Sequence, residues 1–373
     1  MRGRFFALSF ACIAAFTVHC SLTSSPGDYS SEYLTPQTAA TPSHVLVVAG
    51  LRDPLPGGLG DVPTSDAWTG RLRADGSIVG WTAMPSAPVL QNSRATLLLD
   101  GNLYVPGVRY RDVGGDPTFR LGIGVLPLAN ESLGPSWDVT FAGLPANGDG
   151  GLLFLPAGVW SFGGFDGQTT LDYIDDVSFS AFDAAKKKFS PRVDAGLKLL
   201  KKRGHPTVVA YKNFVYVMGG AITGEDTKSP SVELSVLTDK TLSPFVETTA
   251  MQVQGQPNKV ENFTVCTGEG TLYVIGGRPV GSATDVVLMS RIDESNGKLG
   301  PWQAMNKLPA GRAGAGCFIA HGRLYVIGGE GATERSTSVF WAPILPDGTL
   351  GGWDAQSSEP LPAARSQIAA TAY

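Results

Sequence analysis

The sequence is poor in charge and in histidine. Charged residues make up 17% of the 373 residues, the formal net charge is −4, and histidine occurs only 4 times. Basic runs are short and are limited to Lys186–Lys188 and Lys201–Arg203, so the electrostatic footprint of a nucleic-acid-binding protein is missing. We interpret these two clusters as a solvated edge of the fold, with contact to anionic lipid or glycan as the alternative.

Motifs for metal or nucleophilic catalysis are also missing. His44, His205 and His321 fall at different points of the pattern described below, which argues against a histidine-based metal site. The chain contains no Gly-x-Ser-x-Gly elbow, phosphate loop or His-Glu-x-x-His. We therefore expect no cofactor and no metal, and the sequence favours a binding protein over an enzyme.

The N-terminus lacks an apolar run long enough for a membrane span. Phe5–Val18 provides about 14 residues where roughly 20 are needed, and it follows Arg2 and Arg4, which is typical of a secretory signal. Residues 1–20 are therefore predicted to be a signal peptide. Its end resembles a lipoprotein signal, with Cys20 as the lipidated residue, although His19 stands where a small residue is usual. Simple cleavage and secretion is the alternative.

The next segment, residues 21–43, is rich in Ser, Thr and Pro and is predicted to be a disordered tether. Everything from 44 to 373 is then one domain outside the cytoplasm, on an outer-membrane-anchored lipoprotein or a secreted protein. The membrane would be touched only through a lipid on Cys20. Within this domain Cys266 and Cys317 are expected to be two buried thiols, because their offsets from the next Gly pair differ by one residue and so place them on opposite faces of their strands.

A repeat runs through the whole domain. A Gly pair, or a degenerate form of it, ends a short apolar run at regular steps of 57, 57, 56, 57 and 52 residues. We call these positions the Gly marks: Gly50, Gly107, Gly164, Gly220, Gly277 and Gly329. A fixed period of this kind indicates a repeat architecture.

A large aromatic residue keeps the same period. One follows each Gly mark, often after a Gly-containing hairpin turn: Trp81, Trp137, Phe189, Phe245, Trp302 and Trp353. One aromatic side chain per repeat is predicted to fill the space between adjacent sheets.

Each repeat contains four short strands. In the last complete repeat they are Cys317–Ala320, Leu324–Ile327, Ser338–Ala342 and a strand near Trp353. The second of them is apolar on both sides of its pleat, which predicts a sheet covered on both faces. Helical periodicity is nearly absent, since Pro191 and Gly196 interrupt the best candidate helix, Ala184–Lys202.

These features resemble the kelch family. Leu308-Pro309-Ala310-Gly311-Arg312 and Leu361-Pro362-Ala363-Ala364-Arg365 each precede an inner strand, and an aligned arginine occurs at Arg203. The resemblance implies an all-β fold, a six-bladed kelch-like β-propeller. It also implies that the C-terminal residues Ser366–Tyr373 supply the inner strand of a blade whose other strands begin at His44–Gly50. The repeat arginines Arg203, Arg312 and Arg365 are interpreted as structural ties between blades.

Function in such a fold is expected on loops at one end of the sheets. The loops after the Gly marks and the loops that carry the repeat arginines fall at the same end. We predict a ligand-binding face there, made of Arg52, Asp53, Arg109, Tyr110, Arg111, Asp166, Glu225, Arg278, Glu330 and Arg335. Arginines and carboxylates arranged in this way suit recognition of carboxylates or sugar hydroxyls.

The sequence therefore predicts a protein or glycan partner for this face. The alternative is a sugar-active enzyme resembling the periplasmic kelch proteins that interconvert sialic acid anomers, since such chemistry needs little more than a positioned acid and base.

Overall fold

The computed structural model describes residues 42–48, 50–53, 62–86, 97–99, 102–113, 116–129, 132–133, 138–145, 150–155, 157–165, 173–183, 185–186, 188–222, 228–238, 241–279 and 281–373. The signal peptide, the tether and Cys20 lie outside these residues. The described part is all-β and contains no helix. None of it forms a helix long and apolar enough to cross a membrane.

Most strands are short, as expected from the spacing of the Gly marks, but two strands of the second repeat are 12 and 14 residues long. In the first half they are β1 His44–Val48, β2 Leu51–Arg52, β3 Val62–Pro63, β4 Ala67–Leu72, β5 Ile78–Met84, β6 Leu97–Leu99, β7 Asn102–Val113, β8 Asp116–Ala129, β9 Ser132–Leu133, β10 Asp138–Pro145, β11 Gly151–Leu155, β12 Gly158–Phe162, β13 Asp176–Asp183, β14 Lys188–Phe189, β15 Val193–Lys198 and β16 Arg203–Gly204. In the second half they are β17 Thr207–Tyr211, β18 Phe214–Met218, β19 Ala221–Ile222, β20 Val232–Thr238, β21 Thr241–Leu242, β22 Val246–Thr248, β23 Gln252–Val253, β24 Gln256–Pro257, β25 Thr264–Gly268, β26 Thr271–Ile275, β27 Val287–Arg291, β28 Gln303–Ala304, β29 Gly316–Ala320, β30 Arg323–Ile327, β31 Val339–Pro343 and β32 Ala369–Ala372.

The described residues form six antiparallel sheets that have three or more strands each. We name them in chain order by their main strands: sheet A (β32-β1-β4-β5), sheet B (β6-β7-β8-β10), sheet C (β11-β12-β13-β15), sheet D (β17-β18-β20-β22), sheet E (β25-β26-β27-β28) and sheet F (β29-β30-β31). In sheet F an isolated β-bridge pairs Trp341 of β31 with Asp354, at the place where a fourth strand would lie. The first three strands predicted for the last repeat are confirmed to within one residue, whereas the fourth, near Trp353, is represented only by that bridge. The region of the rejected helix holds β14 and β15.

The two chain ends meet in sheet A. Strand β32 pairs with β1 in antiparallel register, with Val45 opposite Ala372 and Val48 opposite Ala369. The Tyr373 hydroxyl hydrogen-bonds to Thr69 Oγ1 at 2.7 Å, and the Tyr373 ring stacks on His44. The predicted pairing of the C-terminal segment with the first strand is therefore confirmed.

The core lies between the sheets. Each of six hydrophobic clusters draws its residues from two consecutive sheets, in the order A–B, B–C, C–D, D–E, E–F and F–A. Strand β1 shows why: Leu46 and Val48 pack towards sheet B, while Val45 and Val47 pack towards sheet F. Second strands such as β18 and β26 are buried along their whole length, so the prediction of a sheet covered on both faces is confirmed.

The inner strands lie side by side in chain order. Strand β11 contacts β17, β17 contacts β25, β25 contacts β29, and β29 contacts β32. Equivalent positions of neighbouring repeats therefore come close together at each end of these strands.

Candidate functional site

The Gly marks and the repeat arginines meet at one end of the sheets, as predicted. The backbone N–H of Gly277 donates to the carbonyl oxygen of Arg312 at 2.7 Å, and the N–H of Gly329 donates to that of Arg365 at 2.8 Å. In both cases the glycine ends a second strand and the arginine precedes the inner strand of the following sheet. We call this end of the sheets the Gly-mark end.

Glycine is required at these points for two reasons. Gly328 has a φ of +61°, which side chains rarely adopt, and a Cβ there would lie 2.8 Å from the carbonyl oxygen of Arg365. The Gly pair thus allows the next sheet's backbone to approach closely. This contact explains why the pair recurs with the repeat.

The side chain of each repeat arginine turns back into its own sheet. Arg203 is fully buried and donates to Gly219 O and Ser231 Oγ and to the carboxylate of Glu233. Burial lowers the pKa of Arg203, and the charge of Glu233 opposes that shift. Arg365 is also buried, pairs with Asp66 and stacks over the ring of Trp68. These contacts support a structural role, but the side chains tie strands within one sheet and not sheet to sheet as predicted; the bond to the preceding sheet is made by the arginine's backbone carbonyl oxygen.

Arg312 differs from the other two. It stacks over Phe340 at 5.1 Å and donates to Ser338 Oγ at 2.7 Å and to Gly311 O at 2.8 Å. Among the described residues no carboxylate lies within ion-pair distance of it, and burial lowers its pKa. Ser338 occupies the position that Asp66 holds beside Arg365, directly before the third strand of its sheet.

Four of the predicted site residues join in one chain of ion pairs at the Gly-mark end. Arg278 Nη2 lies 2.7 Å from Glu330 Oε1, Glu330 Oε2 lies 4.0 Å from Arg335 Nη2, and Arg335 Nη1 lies 2.5 Å from Asp53 Oδ1. The chain links sheets E, F and A. Arg335 is buried and also donates to Ser366 Oγ at 2.8 Å, whereas Arg278, Glu330 and Asp53 keep 34%, 21% and 47% of their side-chain surface exposed.

A further pair extends this pattern towards sheet D. Lys228 Nζ lies 2.9 Å from Glu261 Oε1 and donates to the carbonyl oxygen of Arg278 at 2.9 Å. Arg52, at the end of β2, is half-buried near Asp53. Sequence reasoning missed Lys228 and Glu261, although both stand at Gly-mark or repeat-arginine loops.

The other predicted site residues fall within a long strand or outside the described part of the chain. Arg109, Tyr110 and Arg111 lie within β7, opposite Arg120, Phe119 and Thr118 of β8. The expectation of a loop after Gly107 is wrong, because β7 and β8 stay paired past that glycine as far as Val113 and Asp116. Asp166 and Glu225 lie outside the described residues.

Cys266 and Cys317 form a disulfide, with a Cα–Cα distance of 6.2 Å. The expectation of two thiols is therefore wrong. Thr264 and Gly316 are equivalent first residues of β25 and β29, so the cysteines do lie on opposite faces of their own sheets. Sheets E and F pack face to face, however, and opposite faces of consecutive sheets are the ones that meet.

The three histidines of the described part have different surroundings. His44 stacks on Tyr373, His205 lies edge-on to Tyr173, and His321 is exposed in a hairpin turn. In the described part of the chain no group of three or more His, Cys, Asp or Glu side chains could hold a metal ion.

Two recurring side chains bond one sheet to the next. The indole N–H of Trp81, Trp302 and Trp353 donates to the carbonyl oxygens of Glu359, Thr249 and Asn306 of the preceding sheet, at 2.9 to 3.0 Å. The predicted place of the aromatic marker between sheets is confirmed for these three; Trp137 lies outside the described residues.

Tyrosines in the second strands form bonds in the other direction, and these were missed. Tyr216 OH donates to Gly297 O at 2.7 Å and Tyr273 OH donates to Gly348 O at 2.8 Å, each in the following sheet. Their spacing is the signal that could have found them, because a Tyr or Trp recurs at the third position of the second strand, at 104, 160, 216, 273 and 325.

Comparison with known proteins shows the fold alone. No family model matches the chain, and no curated protein matches it. Among solved structures, the structure of YjhT superposes with a TM-score of 0.57 at 15% sequence identity, covering 86% of this chain and 99% of that one. Together with the sheets described above, this likeness indicates a fold of the β-propeller type.

Proposed function

We propose that the chain is a six-bladed kelch-like propeller that works outside the cytoplasm and binds a protein or glycan partner at the Gly-mark end. Six blades are supported by the six clusters, which lead from sheet A through sheet F and back to sheet A. Closure is supported by sheet A, which contains both the first and the last strand. The likeness to YjhT agrees with this fold.

The proposed location rests on the N-terminal sequence and on the disulfide. Residues 1–20 would direct export, Cys20 would carry the lipid, residues 21–43 would be the tether and residues 44–373 the propeller. The Cys266–Cys317 disulfide supports an oxidising compartment, since disulfides are rare in reducing ones. The mass of the mature N-terminal peptide distinguishes a lipidated Cys20 from simple cleavage.

The observation that carries the binding proposal is the ion-pair chain Asp53–Arg335–Glu330–Arg278. It places charged side chains of three consecutive sheets at one end of a rigid core. Arg335 is fixed by burial, whereas Arg278 and Glu330 are partly exposed and can exchange an internal partner for a ligand group. Such pre-organised, partly desolvated arginines and carboxylates favour recognition of polar ligands.

A glycan array probed with the full-length chain in mild detergent tests the proposal, alongside an Arg278→Glu variant. Discrete binding that the variant loses is the expected outcome for a glycan partner. The matched control is Lys212→Glu, because Lys212 forms a 2.6 Å ion pair with Glu294 at the opposite end of the sheets. If no glycan binds, crosslinking in intact cells should capture a protein partner with the parent chain and not with Arg278→Glu. Equal capture by both would remove this end as the binding face.

The alternative is an enzyme that exchanges the anomers of an acidic sugar. The candidate acid and base for this reaction is Glu330. Its carboxylate lies between the guanidinium groups of Arg278 and Arg335, which could hold a sugar carboxylate. Exchange NMR with sialic acid tests this activity. Equal anomer exchange with and without the protein would exclude it for that sugar.

A further inference from the structure

Four residues at the Gly-mark end share an unusual backbone conformation. His205, Asn262, Gly314 and Gln367 have φ angles of 51°, 53°, 59° and 52°. Each stands two residues before an inner strand, namely β17, β25, β29 and β32. Since these strands lie side by side in that order, the four residues form an arc across sheets D, E, F and A. The equivalent residues before β6 and β11 lie outside the described part.

The backbone of the arc is tied together. Gly314 N–H donates to Asn262 O at 2.6 Å, and Gln367 N–H donates to Gly314 O at 2.6 Å. The left-handed conformation therefore has a structural purpose at Gly314 and Gln367, since it directs their N–H groups to the neighbouring sheet. That purpose concerns the backbone alone, and glycine would serve it at no steric cost.

The backbone hydrogen bonds do not explain why the arc carries these particular side chains. Glycine is found at only one of these positions, Gly314, while the other three carry a histidine and two amides. Asn and His enter the left-handed region more readily than most residues, but Gln does not share that ease. Strain of this kind persists where surrounding structure enforces it, and it concentrates at functional sites.

The remaining left-handed side chains provide a contrast, because all of them lie in hairpin turns. Lys212, Glu269 and His321 have φ angles of 52°, 49° and 49°, and each begins the tight turn between an inner strand and the second strand. Gln254, with a φ of 50°, begins the turn between β23 and β24. Hairpin turns of this type demand positive φ. These four residues therefore have an ordinary explanation, and Lys212, Glu269 and His321 lie at the opposite end of the inner strands from the arc.

The chemistry of the arc is that of neutral hydrogen bonding. His205, Asn262 and Gln367 are half-buried and so reach solvent in part. Their amide and imidazole groups both donate and accept hydrogen bonds. Four cations next to the arc are matched with carboxylates: Arg203 with Glu233, Lys228 with Glu261, Arg335 with Asp53 and Arg365 with Asp66. The guanidinium of Arg312 has no such match among the described residues, but it is turned into sheet F, where it stacks over Phe340 and donates to Ser338 Oγ.

We propose that His205, Asn262 and Gln367 form a subsite for a neutral sugar, and that their side chains bind its hydroxyl groups. A sugar hydroxyl also donates and accepts, so each of these side chains can bind it in either role. The inference rests on the proposed binding function and narrows it to a ligand class and to three residues. It places the centre of recognition on the arc, beside the ion-pair chain.

Saturation-transfer NMR tests the subsite with the full-length chain and two sets of probes, neutral methyl hexopyranosides and the corresponding uronic acids. We expect at least one neutral sugar to bind, and Asn262→Gly and Gln367→Gly each to weaken that binding about tenfold, the effect of losing one or two hydrogen bonds. Both variants should melt at the same temperature as the parent or slightly higher, because glycine relieves the strain. His321→Gly is the matched control for these variants, since it relieves the same strain at the opposite end and should leave binding unchanged.

Each other outcome overturns the subsite. Binding of uronic acids alone would assign recognition to charged groups, and neutral-sugar binding that survives the glycine variants would place it elsewhere. A clear fall in melting temperature for Asn262→Gly and Gln367→Gly, absent for His321→Gly, would make the side chains structural. Absence of all sugar binding would also remove the subsite, while a protein partner captured in an Arg278-dependent manner would leave the proposed binding function standing.

Discussion

The carboxylate of Glu233 and the guanidinium of Arg203 form an ion pair from which solvent is excluded, with 1% and 0% of the two side chains exposed. The second carboxylate oxygen of Glu233 accepts the backbone N–H of Leu200 at 2.8 Å. In sheets F and A the equivalent position holds Phe340 and Trp68, and the repeat arginine stacks on the ring. The repeat arginine is thus stabilised by charge in sheet D, by an aromatic face in sheet F and by both in sheet A.

Glu233→Gln should lower the free energy of unfolding by about 3 kcal/mol or more, because it leaves a buried guanidinium without its counter-charge. Denaturant unfolding measures this loss. Glu247→Gln is the control: Glu247 is 63% exposed and lies 3.8 Å from Lys201, so its loss should stay below about 1 kcal/mol. Equal effects of the two substitutions would contradict the assignment.

The Cys266–Cys317 disulfide should contribute about 4 kcal/mol to stability, since it closes a loop of 51 residues in the unfolded chain. A Cys266→Ser, Cys317→Ser double variant should therefore melt well below the parent. Reductant should lower the melting temperature of the parent and leave that of the variant unchanged. A parent insensitive to reductant, or free thiols found by mass spectrometry in the exported protein, would contradict the disulfide.

Deleting Ser366–Tyr373 should abolish the single cooperative melting transition. It removes β32, the inner strand of sheet A, and exposes the edge of β1, whose Val45–Val48 are buried. Tyr373→Phe is the matched mild change, because it removes only the 2.7 Å bond to Thr69 and should cost about 1 kcal/mol. An unchanged melting temperature in the truncated chain would argue against the closing role of this strand.

Patterns within one repeat were predictable from the sequence, and relations between repeats were not. The strands of the last repeat and the pairing of β1 with the C-terminal segment follow from overlaying the Gly marks. The position of Cys266 on its own strand also follows. Which faces of two sheets meet depends on how the sheets stack, and a residue count within a strand does not contain that information.

The candidate site was predictable in the same limited way. Arg278, Glu330, Arg335 and Asp53 could be assigned to one end, because loops after Gly marks fall together. Their pairing with one another depends on distances between sheets. The arc residues could not be recognised from the sequence by residue type, since His205, Asn262 and Gln367 share only their distance from the next strand. A left-handed backbone conformation at a non-glycine residue also leaves no mark in the sequence.

Three aspartates in turns at the end opposite the Gly marks should give the protein a specific acid sensitivity. Asp75, Asp293 and Asp347 each accept the backbone N–H and the hydroxyl of the residue two positions on, Ser77, Ser295 or Thr349. These hydrogen bonds hold the pKa of each carboxyl below its ordinary value of 3.8.

A lowered folded-state pKa means that the stabilisation is fully present above the ordinary value and is lost as the pH falls through the lowered one. A triple Asp→Asn variant keeps an amide oxygen as acceptor but lacks the charge, so it should be less stable than the parent at neutral pH and approach the parent's stability as the pH falls. Below about pH 4 its stability should fall less steeply than that of the parent. Carboxyl carbon NMR titration gives the three values directly, and values at or above 3.8 would contradict the prediction.

The second-strand tyrosines give the sharpest comparison between equivalent positions. Tyr216 and Tyr273 each bond to a carbonyl of the following sheet. Tyr325 stacks on Phe318 at 4.7 Å, and its buried hydroxyl has no hydrogen-bond partner among the described residues. Burial raises the pKa of Tyr325 to about 12, in keeping with a hydroxyl held away from water.

Tyr216→Phe and Tyr273→Phe should therefore each cost about 1 to 2 kcal/mol, because a buried carbonyl loses its donor. Tyr325→Phe should be neutral or slightly stabilising, since it removes a buried polar group that makes no bond. Denaturant unfolding of the three variants decides the matter without an external control, because the ring and the strand position are the same in each. A loss for Tyr325→Phe equal to the other two would mean that its hydroxyl finds a partner in sheet A, as its two counterparts do in sheets E and F.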